Sequence, residues 1–145
     1  MIRLRNEKEI LIIKEFIDNY KDEFEDFYIT INNRRLFLKD YLFDYIKNRK
    51  KGEIILGDSE KGFIFTWGIS DRANRKYLKI IYKDIKSLYD LFTVFLWNYN
   101  FFDWYIKAKS NNPIIEVSKK FGFKVIGFRG KELLLKRSRN NGGNS

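Results

Sequence analysis

The sequence predicts an α+β domain, in which short strands and amphipathic helices share one chain. Three observations predict it. Short runs rich in Ile, Phe and Tyr recur between turn signals, as strands do. Longer stretches repeat apolar residues every three or four positions, as amphipathic helices do. The last third of the chain is punctuated by Asn-Pro, Gly-Phe and Gly-Lys, which suit a helix start, a helix stop and a hairpin turn.

Met1 to Arg5 alternates apolar and charged residues, the pattern of a first strand. Ile10, Ile13, Ile17 and Tyr20 place a helix over 7–20, with Glu7 and Glu9 in the first turn, where the helix dipole favours acids. The acidic segment Asp22 to Asp26 reads as its exit loop. Leu38, Leu42, Tyr45 and Ile46 predict a second helix over 36–49. The run Arg49-Lys50-Lys51 complements the C-terminal end of that helix or meets a phosphate.

Glu53 to Leu56 and Gly62 to Ser70 read as strands around the turn Gly57-Asp58-Ser59-Glu60-Lys61. Tyr77 to Tyr82 reads as a third strand, although Tyr77, Ile81, Ile85 and Leu88 also fit one long helix. A helix over 85–97 turns Ile85, Leu88, Leu91, Phe92 and Phe95 inward, and a strand follows over 101–109. Asn112 then caps a short helix with Pro113 at its first position. Gly122 supplies the left-handed stop, and strands 123–129 and 132–137 flank Gly130-Lys131. The domain is expected over 1–137, with 138–145 as a polar, disordered tail.

The chain has 145 residues, 44% hydrophobic and 18% aromatic, so one packed core is expected despite 33% charged residues. It contains no cysteine and no histidine. Disulfides, thiolate nucleophiles, imidazole bases and the common zinc sites are therefore excluded, and no metal is expected. No run reaches the length of a membrane span and no signal peptide is visible, which implies a soluble, cytoplasmic or virion-enclosed protein. The formal charge is +10, and it is uneven: residues 1–26 carry eight acids against five bases, the remainder eleven acids against 24 bases. A basic body suits nucleic acid, phosphate ligands or an acidic protein, and it also arises as a merely Lys-rich surface.

Asn111, the short helix after it, and Gly122-Phe123 with the strand pair beyond resemble the C-terminal half of the GNAT acyltransferase superfamily. The predicted succession is strand, two helices, three strands, helix, strand, helix, two strands, which is similar to that superfamily over about 1–137, and the resemblance implies a mixed, mainly antiparallel sheet with helices on both faces. The resemblance implies an acetyl-CoA site between the fourth and fifth strands, its pyrophosphate held by an Arg/Gln-x-x-Gly-x-Gly/Ala loop at the start of the third helix. Glycines there let the backbone N–H groups approach the phosphates. This chain has Tyr82-Lys83-Asp84-Ile85-Lys86-Ser87 in that place, and no glycine between Gly68 and Gly122. Asp84 as N-cap would take the N–H groups that a pyrophosphate needs and would repel it. Ser118 stands where many members carry the tyrosine that protonates the departing thiolate.

The resemblance therefore implies a fold that has lost acyl-CoA catalysis and no expected cofactor. Chains of this kind resemble small acyltransferase-like proteins of tailed phages, and Ser70 to Lys76 is similar to a stretch in them, which implies a virion or infection role. An active N-acyltransferase with an atypical acetyl-CoA site at Lys83, Lys86 and Asn111 is the alternative. No catalytic residue is assigned. Glu53, Asp58 and Asp103 are candidate bases, but no spacing pairs them. The aromatic series Tyr89, Phe92, Phe95, Trp97, Tyr99, Phe101, Phe102, Trp104 and Tyr105 either fills the core, docks a protein partner or second copy, or stacks nucleic-acid bases beside Lys107 and Lys109.

Overall fold

The computed structural model describes residues 2–4, 11–13, 15–16, 28–31, 34–37, 54–67 and 75–139. Seven strands form one sheet: β1 (Ile2–Leu4), β4 (Ile55–Asp58), β5 (Gly62–Trp67), β6 (Lys76–Tyr82), β7 (Trp104–Lys109), β9 (Glu132–Arg137) and β8 (Lys124–Arg129), in that spatial order. A separate hairpin pairs β2 (Tyr28–Ile31) with β3 (Arg34–Phe37). Two described helices complete the C-terminal part, α1 (Ile85–Asn98) and α2 (Ile114–Lys120).

Only β6 and β7 run parallel, and their register holds two pairs, Lys76↔Trp104 and Tyr77↔Tyr105. Every other neighbouring pair in the sheet is antiparallel. The two strands therefore part after their first residues, and the sheet splays. A parallel connection needs a crossover, which α1 supplies.

Strand alternation decides which residues face the helices. Leu78 and Ile80 of β6, Trp104, Ile106 and Ala108 of β7, and Leu135 of β9 pack with Leu88, Leu91, Phe92, Phe95 and Leu96 of α1 and Ile114, Ile115 and Val117 of α2. Phe123 closes this core beside Phe92, at 5.8 Å between ring centroids. The opposite face buries Phe63 and Phe65 of β5, and Phe16 meets the Phe63 ring edge-on at 5.6 Å. Residues 11–13 and 15–16 are helical, with Ile13 and Phe16 fully buried, so helices cover both faces.

Several expectations are corrected. Leu36 and Phe37 belong to β3, so no helix starts at 36; the rest of 36–49, with Arg49-Lys50-Lys51, lies outside the described residues, as do most of 7–20 and all of 22–26. Ile31 pairs with Arg34 and Ile29 with Leu36, so this stretch is satisfied as sheet. The stretch 77–82 is strand, not the start of a long helix, because Leu78, Ile80 and the β5 register satisfy it as sheet. β7 begins at Trp104; Phe101 and Phe102 form a bend before it. Ile85, expected inward, is exposed at the first turn of α1.

Candidate functional site

The splay between β6 and β7 is the candidate site, since two helix starts converge there. α1 begins only two residues after β6. Asp84, extended at φ −153° and ψ 176°, caps it by accepting the Ser87 N–H at 2.7 Å. That hydrogen bond, with help from Lys83 and Lys86, holds the Asp84 carboxyl below its usual range, so it stays ionised at neutral pH. The Lys83 N–H is donated to the Lys61 carbonyl at 3.0 Å. Lys83 and Lys86 are both exposed and flank the Asp84 carboxylate at the start of α1.

The second start is that of α2. Pro113 already has helical dihedrals, φ −56° and ψ −22°. The Asn112 side chain accepts the Ile114 N–H at 2.9 Å, and its carbonyl accepts the Ile115 N–H at 3.1 Å. Asn112 therefore caps from the position expected, with proline as the first helical residue. The same Asn112 Oδ1 also accepts the Tyr82 hydroxyl at 3.3 Å. This bond ties the last residue of β6 to the start of α2, across the mouth of the splay.

Asn111 is exposed in the turn, one residue from the bond that bridges the splay. Lys83 is likewise one residue from Tyr82, and Lys86 lies in the first turn of α1. The residue that makes the contacts is Asn112, which sequence reasoning assigned only to capping. Nothing local signalled its partner, since Tyr82 lies 30 positions away.

Ser118 is fully buried on the inner face of α2, and among the described residues its hydroxyl has no hydrogen-bond partner. It is walled in by the core and does not reach the splay as a proton donor would. Arg137 donates from Nε to the Phe121 carbonyl at 2.8 Å, closing the end of α2, while desolvation depresses its pKa. Asp58 is consumed in its own turn, accepting the Glu60 and Lys61 N–H groups at 3.0 and 2.7 Å. Asp103 accepts the Arg139 N–H at 2.7 Å and lies 3.8 Å from Lys136. Glu53 lies outside the described residues. Among the described residues, no group of three or more carboxylates gathers as a metal site would, and no helix is long and apolar enough to cross a membrane.

The aromatic series divides between interior and surface. Phe92, Phe95 and Trp104 are buried, and Phe95 meets the Trp104 ring edge-on at 5.2 Å. Trp97 is 85% exposed and Phe101 70%, too open for core filling.

No family model matches the chain, and no curated protein matches it in sequence. Solved structures do match in shape. A putative acetyltransferase, YncA, from Salmonella typhimurium with its cofactor acetyl-CoA has a TM-score of 0.61 at 13% identity, covering 98% of this chain and 95% of that one. A mutant spermidine N-acetyltransferase SpeG from Vibrio cholerae has a TM-score of 0.60 at 13% identity, covering 95% of each chain. PH1933 from Pyrococcus horikoshii has a TM-score of 0.56 at 22% identity, covering 94% and 95%. At these identities the likeness shows the fold alone.

Proposed function

We propose that this chain, which has the GNAT fold, has lost acetyl-CoA catalysis and works through protein contacts over a single domain of residues 1–137. The observation that carries the proposal is the ionised Asp84 carboxylate on the Ser87 N–H, where the fold would hold a pyrophosphate. A negative charge there opposes the ligand and occupies a donor it needs. The Tyr82–Asn112 bond across the splay and the buried Ser118 point the same way. Exposed Trp97, Phe101 and Phe102, gathered at the end of α1 and the entry to β7, offer the aromatic anchors that protein partners use. The phage and virion setting rests on the resemblance of residues 70–76, of which only Arg75 and Lys76 are described.

Calorimetric titration with acetyl-CoA tests this reading. No heat is expected at millimolar ligand, and one-to-one binding or acetyl transfer to a polyamine would overturn it. A second reading, an N-acyltransferase with acetyl-CoA beside Lys83, Lys86 and Asn111, is favoured by Lys83 and Asn111 each being one residue from the Tyr82–Asn112 bond. Under that reading, replacing both lysines with glutamine weakens acetyl-CoA about tenfold or more, as loss of charge-assisted phosphate contacts does.

A further inference from the structure

We propose that the face of β7, β9 and β8 turned away from α1 and α2 binds single-stranded nucleic acid. Alternation puts Trp104, Ile106 and Ala108 in the core, so Tyr105, Lys107 and Lys109 stand on the other face. The register carries that face across the sheet. Lys109 pairs with Glu132 and Glu132 with Arg129, while Tyr105 pairs with Lys136 and Lys136 with Lys124. Five cations therefore share the surface with one acid.

Lys107, Lys109, Lys124 and Arg129 are exposed, and among the described residues no ion pair engages them. Lys136 alone lies near a carboxylate, Asp103, at 3.8 Å. Alternate residues along a strand stand about 6.8 Å apart and neighbouring strands about 4.8 Å, so the charges form a lattice rather than a point. A lattice in which four of five cations have no ion pair among the described residues suits a polymer carrying one negative charge per unit.

The aromatic content of the face selects among polyanions. Tyr105 is half-buried beneath the Arg75 guanidinium at 5.2 Å and the Lys136 ammonium at 5.7 Å from its ring centre. Tyr77 lies buried beside it, with ring centroids 5.7 Å apart, and Lys107 sits 5.1 Å from its centre. A part-exposed ring set among cations is what unstacked bases and their phosphates use together, so Tyr105 is the stacking platform of this face. An acidic peptide needs only the charge.

The test is fluorescence anisotropy of a labelled 20-residue oligothymidylate with the full chain, from 50 to 300 mM NaCl. Binding is expected to weaken linearly on a log–log salt plot. Lys107→Gln with Lys109→Gln should lower its slope by about 1.4 and the affinity at 50 mM by about tenfold, since each contact on a single strand contributes about 0.7. Lys119→Gln with Lys120→Gln, the same charge change on α2, should leave the slope unaltered. Equal effects of the two pairs, or no binding at 50 mM, would overturn the proposal. Displacement by polyglutamate as effective as by unlabelled oligonucleotide would replace it with an acidic protein partner. Far-UV circular dichroism checks each variant. Should the β7 pair fail to fold, Tyr105→Leu decides: several-fold weaker binding with an unchanged slope supports the proposal, and full affinity overturns it. Acetyl-CoA binding at the splay bears on neither outcome.

Discussion

Lys79 shows how one residue can weigh against the fold that contains it. It stands on β6 opposite Phe65 of β5, and burial lowers its pKa from 10.5 to about 8, although Glu132 pulls the other way. The folded chain thus disfavours the charged form, while the unfolded chain keeps the ordinary value. Between pH 8 and 10.5 the unfolded state holds a proton that the folded state has released, so stability rises with pH across that window. Below pH 8 the full penalty remains, about 3 kcal/mol as an upper figure. Lys79→Met is therefore expected to stabilise the protein at pH 7 by about 2 kcal/mol and to flatten the alkaline rise. Urea unfolding at pH 7 and pH 10 measures both effects. A methionine variant less stable than the parent at pH 7 would show that the ammonium is held by more than it loses.

Among the elements, the end of α2 is the one whose sequence and structure agree most closely. Gly122 has φ +91°; its N–H is donated to the Lys119 carbonyl at 3.1 Å and that of Phe123 to the Ser118 carbonyl at 3.1 Å, the paired bonds of a glycine-terminated helix. A Cβ at Gly122 would meet only the Arg137 side chain, at 3.7 Å, so the cost of Gly122→Ala is backbone strain of about 1–2 kcal/mol. Gly127→Ala, with open space about its Cβ and no positive φ, should change stability by less than about 0.5 kcal/mol. Urea midpoints of the two variants test the pair together. Such local devices were legible because a cap or a left-handed stop is decided within a few residues: Asp84, Asn112 and Gly122 each do what their type favours. Longer-range choices were not. Leu36 and Phe37 fit a helical period as well as a strand, and only pairing with Tyr28 and Ile29 decides for β3. The aromatic run before Trp104 has high strand propensity, yet Phe101 and Phe102 bend because β9 pairs with β7 no earlier than Trp104. The Tyr82–Asn112 bond, which closes the candidate site, depends on where two distant segments come to rest.

At the scale of the whole molecule, charge and apolar surface oppose each other. β8 ends the sheet, with Val125, Ile126 and Phe128 exposed. An open edge of that kind invites another strand, while Lys124, Arg129 and the irregularity between Val125 and Gly127 blunt it. Two copies meeting there also bring together chains of formal charge +10. Repulsion between them acts over the screening length, about 10 Å at 0.1 M salt and about 3 Å at 1 M, whereas burial of the apolar edge does not weaken with salt. Self-association is therefore expected to be slight at 50 mM NaCl and to strengthen toward 500 mM, opposite in sign to the salt response of a polyanion on the neighbouring face. Sedimentation velocity across a concentration series at both salts measures it. Phe128→Lys should return the chain to monomer at 500 mM and shift the melting midpoint little, because an exposed side chain contributes little to stability. A chain that remains monomeric at high salt, or associates most at low salt, would show that the charge pattern and not the apolar edge governs its contacts.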